Sequence, residues 1–383
     1  MNSFPSSRPR SPRKWRGGVV FMLFISIYPL LGQEFGIEVF SPIMRRPYRR
    51  FISPEFYHIP ISSVAVGDLM MGGSALSIIR TKGSEYPFEP TKSILRTADI
   101  AMANLEAPFT LKGEPFEKTF TFRVPPEFVQ GIYDAGLDVL TLANNHILDY
   151  GPEGLFSTMA LLDSLGIAYC GAGRTIKEAE DGVILQRGHW RIGFLAYSLT
   201  YPAEFWATSS KSGTAYPHPQ RMEKNIRMLK EEVDLVVVSF HWGGEKMVRP
   251  KSYQRRYGHQ AIDCGADLVI GHHPHVLQGL ELYKDRLIAY SLGNFVFGSY
   301  SKNARDSIIL KVCYDRQGLL LVEVIPISVF NYDVQFQPRL LERVSREKVI
   351  RTVKELSIPL NRGKDIIRKS GLIVLEKNQS DLK

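Results

Sequence analysis

Residues 265–278, GADLVIGHHPHVLQ, hold His272, His273 and His275 around a single proline, Pro274. The apolar run Leu268, Val269, Ile270 reads as a short buried strand broken by Gly271. The imidazoles therefore sit at the carboxyl end of a strand, on a loop stiffened by proline. Side chains placed this way can be aimed at one point, which is what a metal ion requires. A lone histidine there would suit a hydrogen-bonded surface turn as well. Recurrence of the pattern elsewhere in the chain is what favours a site.

The pattern recurs. VAVGD (64–68) ends on Asp68, and IAMANLE (100–106) ends on Asn104 and Glu106. VLTLA (139–143) runs into Asn144, Asn145 and His146, with Asp149 three residues on. LVVVSF (235–240) runs into His241, Trp242 and, past two glycines, Glu245; LIAYSLGNF (287–295) carries Asn294. In α/β sheets, sites are built at the carboxyl ends of strands. Apolar segments that each deliver a hard or borderline ligand at that end point to one shared site.

By type the candidates are the carboxylates Asp68, Glu106, Asp149 and Glu245, the imidazoles His146, His241, His273 and His275, and the amides Asn104, Asn145 and Asn294. A mixed oxygen and nitrogen set without thiolate suits one or two divalent ions, Mn, Fe or Zn. A bridging carboxylate with His and Asn on either side is the make-up of a two-metal hydrolytic centre, which generates hydroxide and clamps a phosphoryl group. Asp68, Glu106, Asn145, His241, His273 and His275 form the inner set. His146 is a general acid or anion-stabilising group, with Asp149 and Glu245 as further catalytic candidates. Asn104, Asn144, Trp242 and Asn294 are placed toward the substrate. Structural readings stand beside these: Asp68 after Gly67 suits a turn, and Asn144 and Asn145 suit left-handed backbone. Asp149, just before Gly151-Pro152, suits a helix cap; Trp242 suits a wall and Asn294 a structural role.

The elements that must hold these residues alternate strand and helix from residue 61. Helices are expected over 87–97, 125–135, 152–165, 221–232 and 253–264, two of them opened by Pro and closed by Gly. Strands are expected over 120–124, 183–185 and 192–196, and a hairpin over 308–314 and 319–325. Residues 201–219 have loop composition, and beyond 339 the chain is charged and helical to about 356.

The formal charge of +9 is unevenly spread. Residues 1–50 carry +7 of it, which leaves the other 333 residues with only +2. A basic body suited to nucleic acid is therefore not supported. Cys170, Cys264 and Cys313 are far apart and read as small buried hydrophobes rather than a disulfide framework. Residues 19–32 (VVFMLFISIYPLLG) are uncharged and mostly apolar. That is short of the ~20 residues of a spanning helix but suits a signal-peptide core. Export is expected, with an uncleaved membrane anchor as the alternative. The chain divides into residues 1–32 (signal or anchor), 33–58 (basic linker), 59–330 (the domain bearing the site) and 331–383 (a partly helical C-terminal extension).

VAVGDLMMGG, ANLEAPFT, LANNHILDYGPEGL, SFHWGGE, GADLVIGHHPHVLQGLE and YSLGNFVF, in this order, resemble the bacterial CapA-type capsule synthesis proteins, also called poly-γ-glutamate biosynthesis proteins. The resemblance spans residues 61–330 and implies a branch of the calcineurin-like metallophosphoesterase superfamily. The implied fold is a four-layer α/β sandwich, two facing mixed β-sheets flanked by helices. The resemblance matches Asp68 to the superfamily's first aspartate, Glu106 to the bridging carboxylate and Asn145-His146 to its Asn-His pair. It matches His241 to the middle histidine, and His273 and His275 to the terminal pair. Met70 stands where phosphoesterases carry a histidine. The resemblance implies an anionic polymer such as polyglutamate as partner; the alternatives are an envelope phosphoester as substrate, or a non-catalytic place in a membrane synthesis complex.

Overall fold

The computed structural model describes residues 38–40, 59–373 and 375. The apolar segment 19–32 and its expected role in export lie outside the described residues. All the described residues belong to one compact unit.

Periodicity in the strands dictates the layering. In Leu235–His241 every residue is buried, so the strand reads as one apolar run. Its Leu235 and Val237 face a core between two sheets, while Val236, Val238 and Phe240 face helices on the outside. The strand Ile61–Met70 does the same from the other sheet, with Ala65 inward and Val64 and Val66 outward. Each such side chain contributes about 1.5–3 kcal/mol on full burial. The outcome is helix, sheet, sheet, helix, with three apolar cores between them. The expected four-layer sandwich is what forms.

Among the described residues the first sheet has seven strands. Its centre is the parallel set Trp190–Ser198, Leu235–His241, Leu268–His272 and Arg286–Ala289. Helices Pro219–Glu232 and Ser252–Asp263 cover its outer face through Met222, Ile226, Tyr257 and Ala261. The second sheet has nine strands, with the parallel set Ile61–Met70, Ile100–Leu105, Val139–Thr141 and Ala168–Cys170 at its heart. The hairpin Asp306–Asp315 and Gly318–Ser328 extends it on the other side of Ile61–Met70. In both parallel sets the carboxyl ends lie on one side, which is where the candidate residues are.

The C-terminal segment expected as an extension is instead built into the sandwich over its described length. Helix Arg343–Ser357 places Val349, Ile350 and Val353 in the inter-sheet core. The edge strand Leu280–Tyr283 is closed by side chains from this segment. Ser357 Oγ accepts from Leu280 N, and Asn361 accepts from Leu282 N while donating to the Leu280 carbonyl. An otherwise open sheet edge is thereby covered.

Two local expectations differ from what forms. The helix expected over 87–97 is confined to Lys92–Thr97, behind a run of turns. Residues 120–124 do not form a strand, because the Phe122 amide donates to the Asp149 carboxylate at 2.7 Å. Helix Leu76–Lys82 has no distinct signal in the sequence.

Candidate metal centre

Strand register brings the polar residues together. Asp68 is level with Asn104 on one neighbouring strand and with Asn294 on the other. Glu106 follows two residues beyond Asn104, and residues 144–146 follow Val139–Thr141. From the first sheet, His241 is level with His272, and His273 and His275 come just after. Gly271 must lack a side chain, since a Cβ there would lie 2.1 Å from the Tyr290 carbonyl oxygen. His273 and His275 take left-handed backbone, φ 94° and 58°, at a cost of about 1–3 kcal/mol each. Strain of this kind on ligand-type side chains is usual at functional sites.

The inner residues converge. Glu106, His273 and His275 each offer one ligand atom within 4.8 Å of the others, and so do Asp68, Glu106 and His241. Glu106 is common to both sets, as a bridging carboxylate would be. The Asn145 side-chain oxygen lies 2.7 Å from His241 Nε2. Asn104 holds the carboxylates apart, its amide nitrogen 3.0 Å from Asp68 and 3.3 Å from Glu106. Glu106 Oε1 and His273 Nδ1 are buried without a hydrogen-bond partner. Orphaned groups like these cost about 1–3 kcal/mol apiece, and a cation is what they fit.

The electrostatics agree with that fit. Burial, and next the Asp68 charge, push the Glu106 carboxyl well above the usual range. Burial would also raise Asp68, but hydrogen bonds to His272 and His275 overcome it and hold it well below the usual range. Burial and the neighbouring His273 press the His241 imidazole well down. Burial, then the charge of His275, pushes His273 down to about 3. Both shifts favour the neutral imidazole, the form that can bind a metal. For His275 burial lowers the imidazole, yet its bond to Asp68 leaves it raised.

A second cluster flanks the first. His146 Nδ1 lies 2.7 Å from Asp149 Oδ2, and Lys118 Nζ lies 2.5 Å from Asp149 Oδ1 and 3.1 Å from His146 Nδ1. Lys118 also donates to the Asn145 carbonyl. Burial lowers the Lys118 ammonium and the His146 imidazole, with Asp149 opposing both. Asp149 does not cap the helix Gly151–Leu165, whose N-cap is Tyr150. It ties His146 to the loop carrying Phe122 instead. Glu245 is exposed at the rim of the cavity that His146, His275 and Asn294 line.

Three residues expected toward the substrate, Trp242, Asn144 and Asn104, are buried. Trp242 is wholly buried in the helix-facing core, stacked on Phe240 and donating to the Tyr290 carbonyl at 2.9 Å. Asn144 is also wholly buried. It donates to Leu105 O and Asn104 Oδ1 and accepts from the amides of His146 and Ile147, so it shapes the turn that presents His146. Asn104 is buried and acts on the carboxylates, while Asn294 accepts from His275 Nδ1 at 2.9 Å. Sequence reasoning missed His272, whose Nδ1 is 3.2 Å from Asp68, and Lys118. His272 was visible as the first of three imidazoles. Lys118, in a loop without periodicity, gave no signal. Met70 lies in the core, its sulfur accepting from Gly72 N.

Residues 62–299 match the family model described as "Bacterial capsule synthesis protein PGA_cap". The chain is 32% identical over 277 residues to "Capsule biosynthesis protein CapA" of Bacillus anthracis, covering 70% of this chain and 67% of that protein. It is 32% identical over 272 residues to "PGA biosynthesis protein CapA" of Bacillus subtilis (strain 168), covering 70% and 72%. Among solved structures, a 5'-nucleotidase precursor from Thermus thermophilus aligns at 12% identity with a TM-score of 0.44, over 74% of this chain and 55% of that one. The chain belongs to the bacterial capsule synthesis protein family, PGA_cap.

Proposed function

We propose that this protein is exported and acts in the synthesis, export or attachment of a polyglutamate-type capsule, and that its centre is that of a metal-dependent hydrolase. The names of the Bacillus relatives support the capsule role. One observation carries the hydrolase reading: two sets of ligand atoms, each within 4.8 Å, share Glu106. Asp68, Glu106, Asn145, His241, His273 and His275 would hold one or two divalent ions, and the oxygen and nitrogen donors suit Mn, Fe or Zn. A divalent ion supplies Lewis acidity toward a phosphoryl or carbonyl oxygen.

The chain's own residues do the rest. Asn104 keeps Asp68 and Glu106 in register, and Asn294 fixes the His275 ring. Asp149 engages Nδ1 of His146, which lines the cavity, and this leaves its Nε2 available for a proton transfer. The reacting group is a phosphoester of the envelope or a linkage in the anionic polymer itself.

Met70, standing where a histidine ligand is expected, favours a second reading, a non-catalytic subunit of a membrane synthesis complex. His146→Ala separates the two, since this side chain lies outside both ligand sets. On the hydrolase reading, cells carrying the variant lose polymer production while the purified protein stays folded and keeps its metal. Full polymer production with His146→Ala would refute catalysis and leave the subunit role.

A further inference from the structure

We propose that the cavity beside the centre is a subsite for a neutral sugar ring attached to the reacting phosphate; this rests on the hydrolase reading above. The cavity has a volume of about 290 Å3 and opens onto His146, His275 and Asn294. That is the small end of ligand pockets, ~300–1,000 Å3, and it suits one ring with its phosphate rather than a length of polymer.

An aromatic strip leads from the mouth to the reacting residues. Phe120 is 65% exposed and stacks on Phe122, centroids 6.5 Å apart with 6° between the planes. Phe122 lies 4.7 Å from the His146 ring and edge-on to Phe297 at 6.4 Å. Tyr300, 46% exposed, stands in the same lining and is held edge-on by Phe336 at 5.0 Å. Apolar rings left in water at the entrance of a polar centre mark a contact surface for a ligand.

Charge narrows the ligand class. Apart from the imidazoles, the ionised groups lining the cavity are Glu245 and Lys246, whose charges cancel. Away from the metal centre the lining therefore offers a polyanion no row of cations. The remaining polar lining is hydroxyl and amide, from Ser299, Ser301 and Asn303. A lining that combines aromatic faces with hydroxyl and amide groups matches a saturated ring bearing hydroxyls.

The test compares glucose 1-phosphate with glycerol 1-phosphate, which present the same phosphate on a ring and on an open chain. Their binding is measured by calorimetry on the full protein, with and without added Mn. The ring ester is expected to bind about three- to tenfold more tightly, the size of a stacking contact. In Phe120→Ala, an exposed position whose loss spares the core, the ratio of the two affinities is expected to fall toward one. Equal affinities, an unchanged ratio in Phe120→Ala, or no binding of either ester would overturn the assignment. Tighter binding of a γ-linked glutamate oligomer, or of uridine monophosphate with no binding of ribose 5-phosphate, would overturn it as well, giving the cavity to the polymer or to a base. Failure of the hydrolase reading shows separately, as absent metal and absent turnover with the affinity ratio intact.

Discussion

Glu106→Gln is expected to make the metal-free protein more stable and the metal-loaded protein less so. Glu106 is wholly buried, and its Oε1 has no hydrogen-bond partner. Burial and the Asp68 charge raise its carboxyl well above the usual range. An acid raised in this way binds its proton more tightly folded than unfolded, so its contribution to stability falls as pH rises through that raised value. The amide is close in shape to the protonated acid and can donate to Asp68. Relief of one buried unsatisfied acceptor is worth about 1–3 kcal/mol, and at roughly 2–4 °C per kcal/mol melting in EDTA should rise by several degrees. The gain should be larger at pH 8 than at pH 5. With Mn or Zn present the order inverts, because a ligand at 100 times its Kd adds ~2.7 kcal/mol to the wild type and little to a variant lacking the shared carboxylate. Differential scanning fluorimetry in EDTA and in metal reads both effects. A variant that melts lower in EDTA, or gains as much from metal as the wild type, would refute the bridging role of Glu106.

Lys118→Met leaves the Asp149 carboxylate buried without its ion pair and should cost about 3 kcal/mol in denaturant melts. Asp149→Asn in the same chain should recover much of that loss. Metal binding should strengthen as pH rises: Glu106 and His275 are both raised and must shed protons to act as ligands. Calorimetry in two buffers of different ionisation enthalpy should therefore show net proton release near neutral pH, and no release would contradict it. Trp242→Ala should cost about 3–5 kcal/mol as a core cavity, whereas Trp242→Phe keeps fold and metal content alike. A loss of metal in the folded Trp242→Phe protein would put Trp242 back in the site.

The sheets were legible because their strands are buried on both faces, so Leu235–Val238 and Leu268–Ile270 read as apolar runs. The inner residues were legible for a related reason. Each stands at the end of such a run, where the polarity breaks. Trp242 and Asn144 are wholly buried although their sequence neighbours reach the centre. The pleat turns Trp242 to the face opposite His241, and Asn144 satisfies backbone groups at the turn. Lys118 reaches Asp149 from a loop whose path depends on tertiary contacts, such as Phe116 N to the Asp149 carbonyl, and local sequence does not encode that path. The charged surface of Arg343–Ser357 obscured the narrow stripe of Val349, Ile350 and Val353 that seats it in the inter-sheet core.

The most direct test of the metal centre is elemental analysis of protein purified without added metal, for the wild type, His241→Ala and His273→Ala. These histidines come from different ligand sets joined through Glu106. Near-stoichiometric Mn, Fe or Zn is expected in the wild type, falling in both variants while each stays folded. A wild-type protein that holds no metal, even after reconstitution with Mn and Zn, would contradict the metal centre and with it the hydrolase.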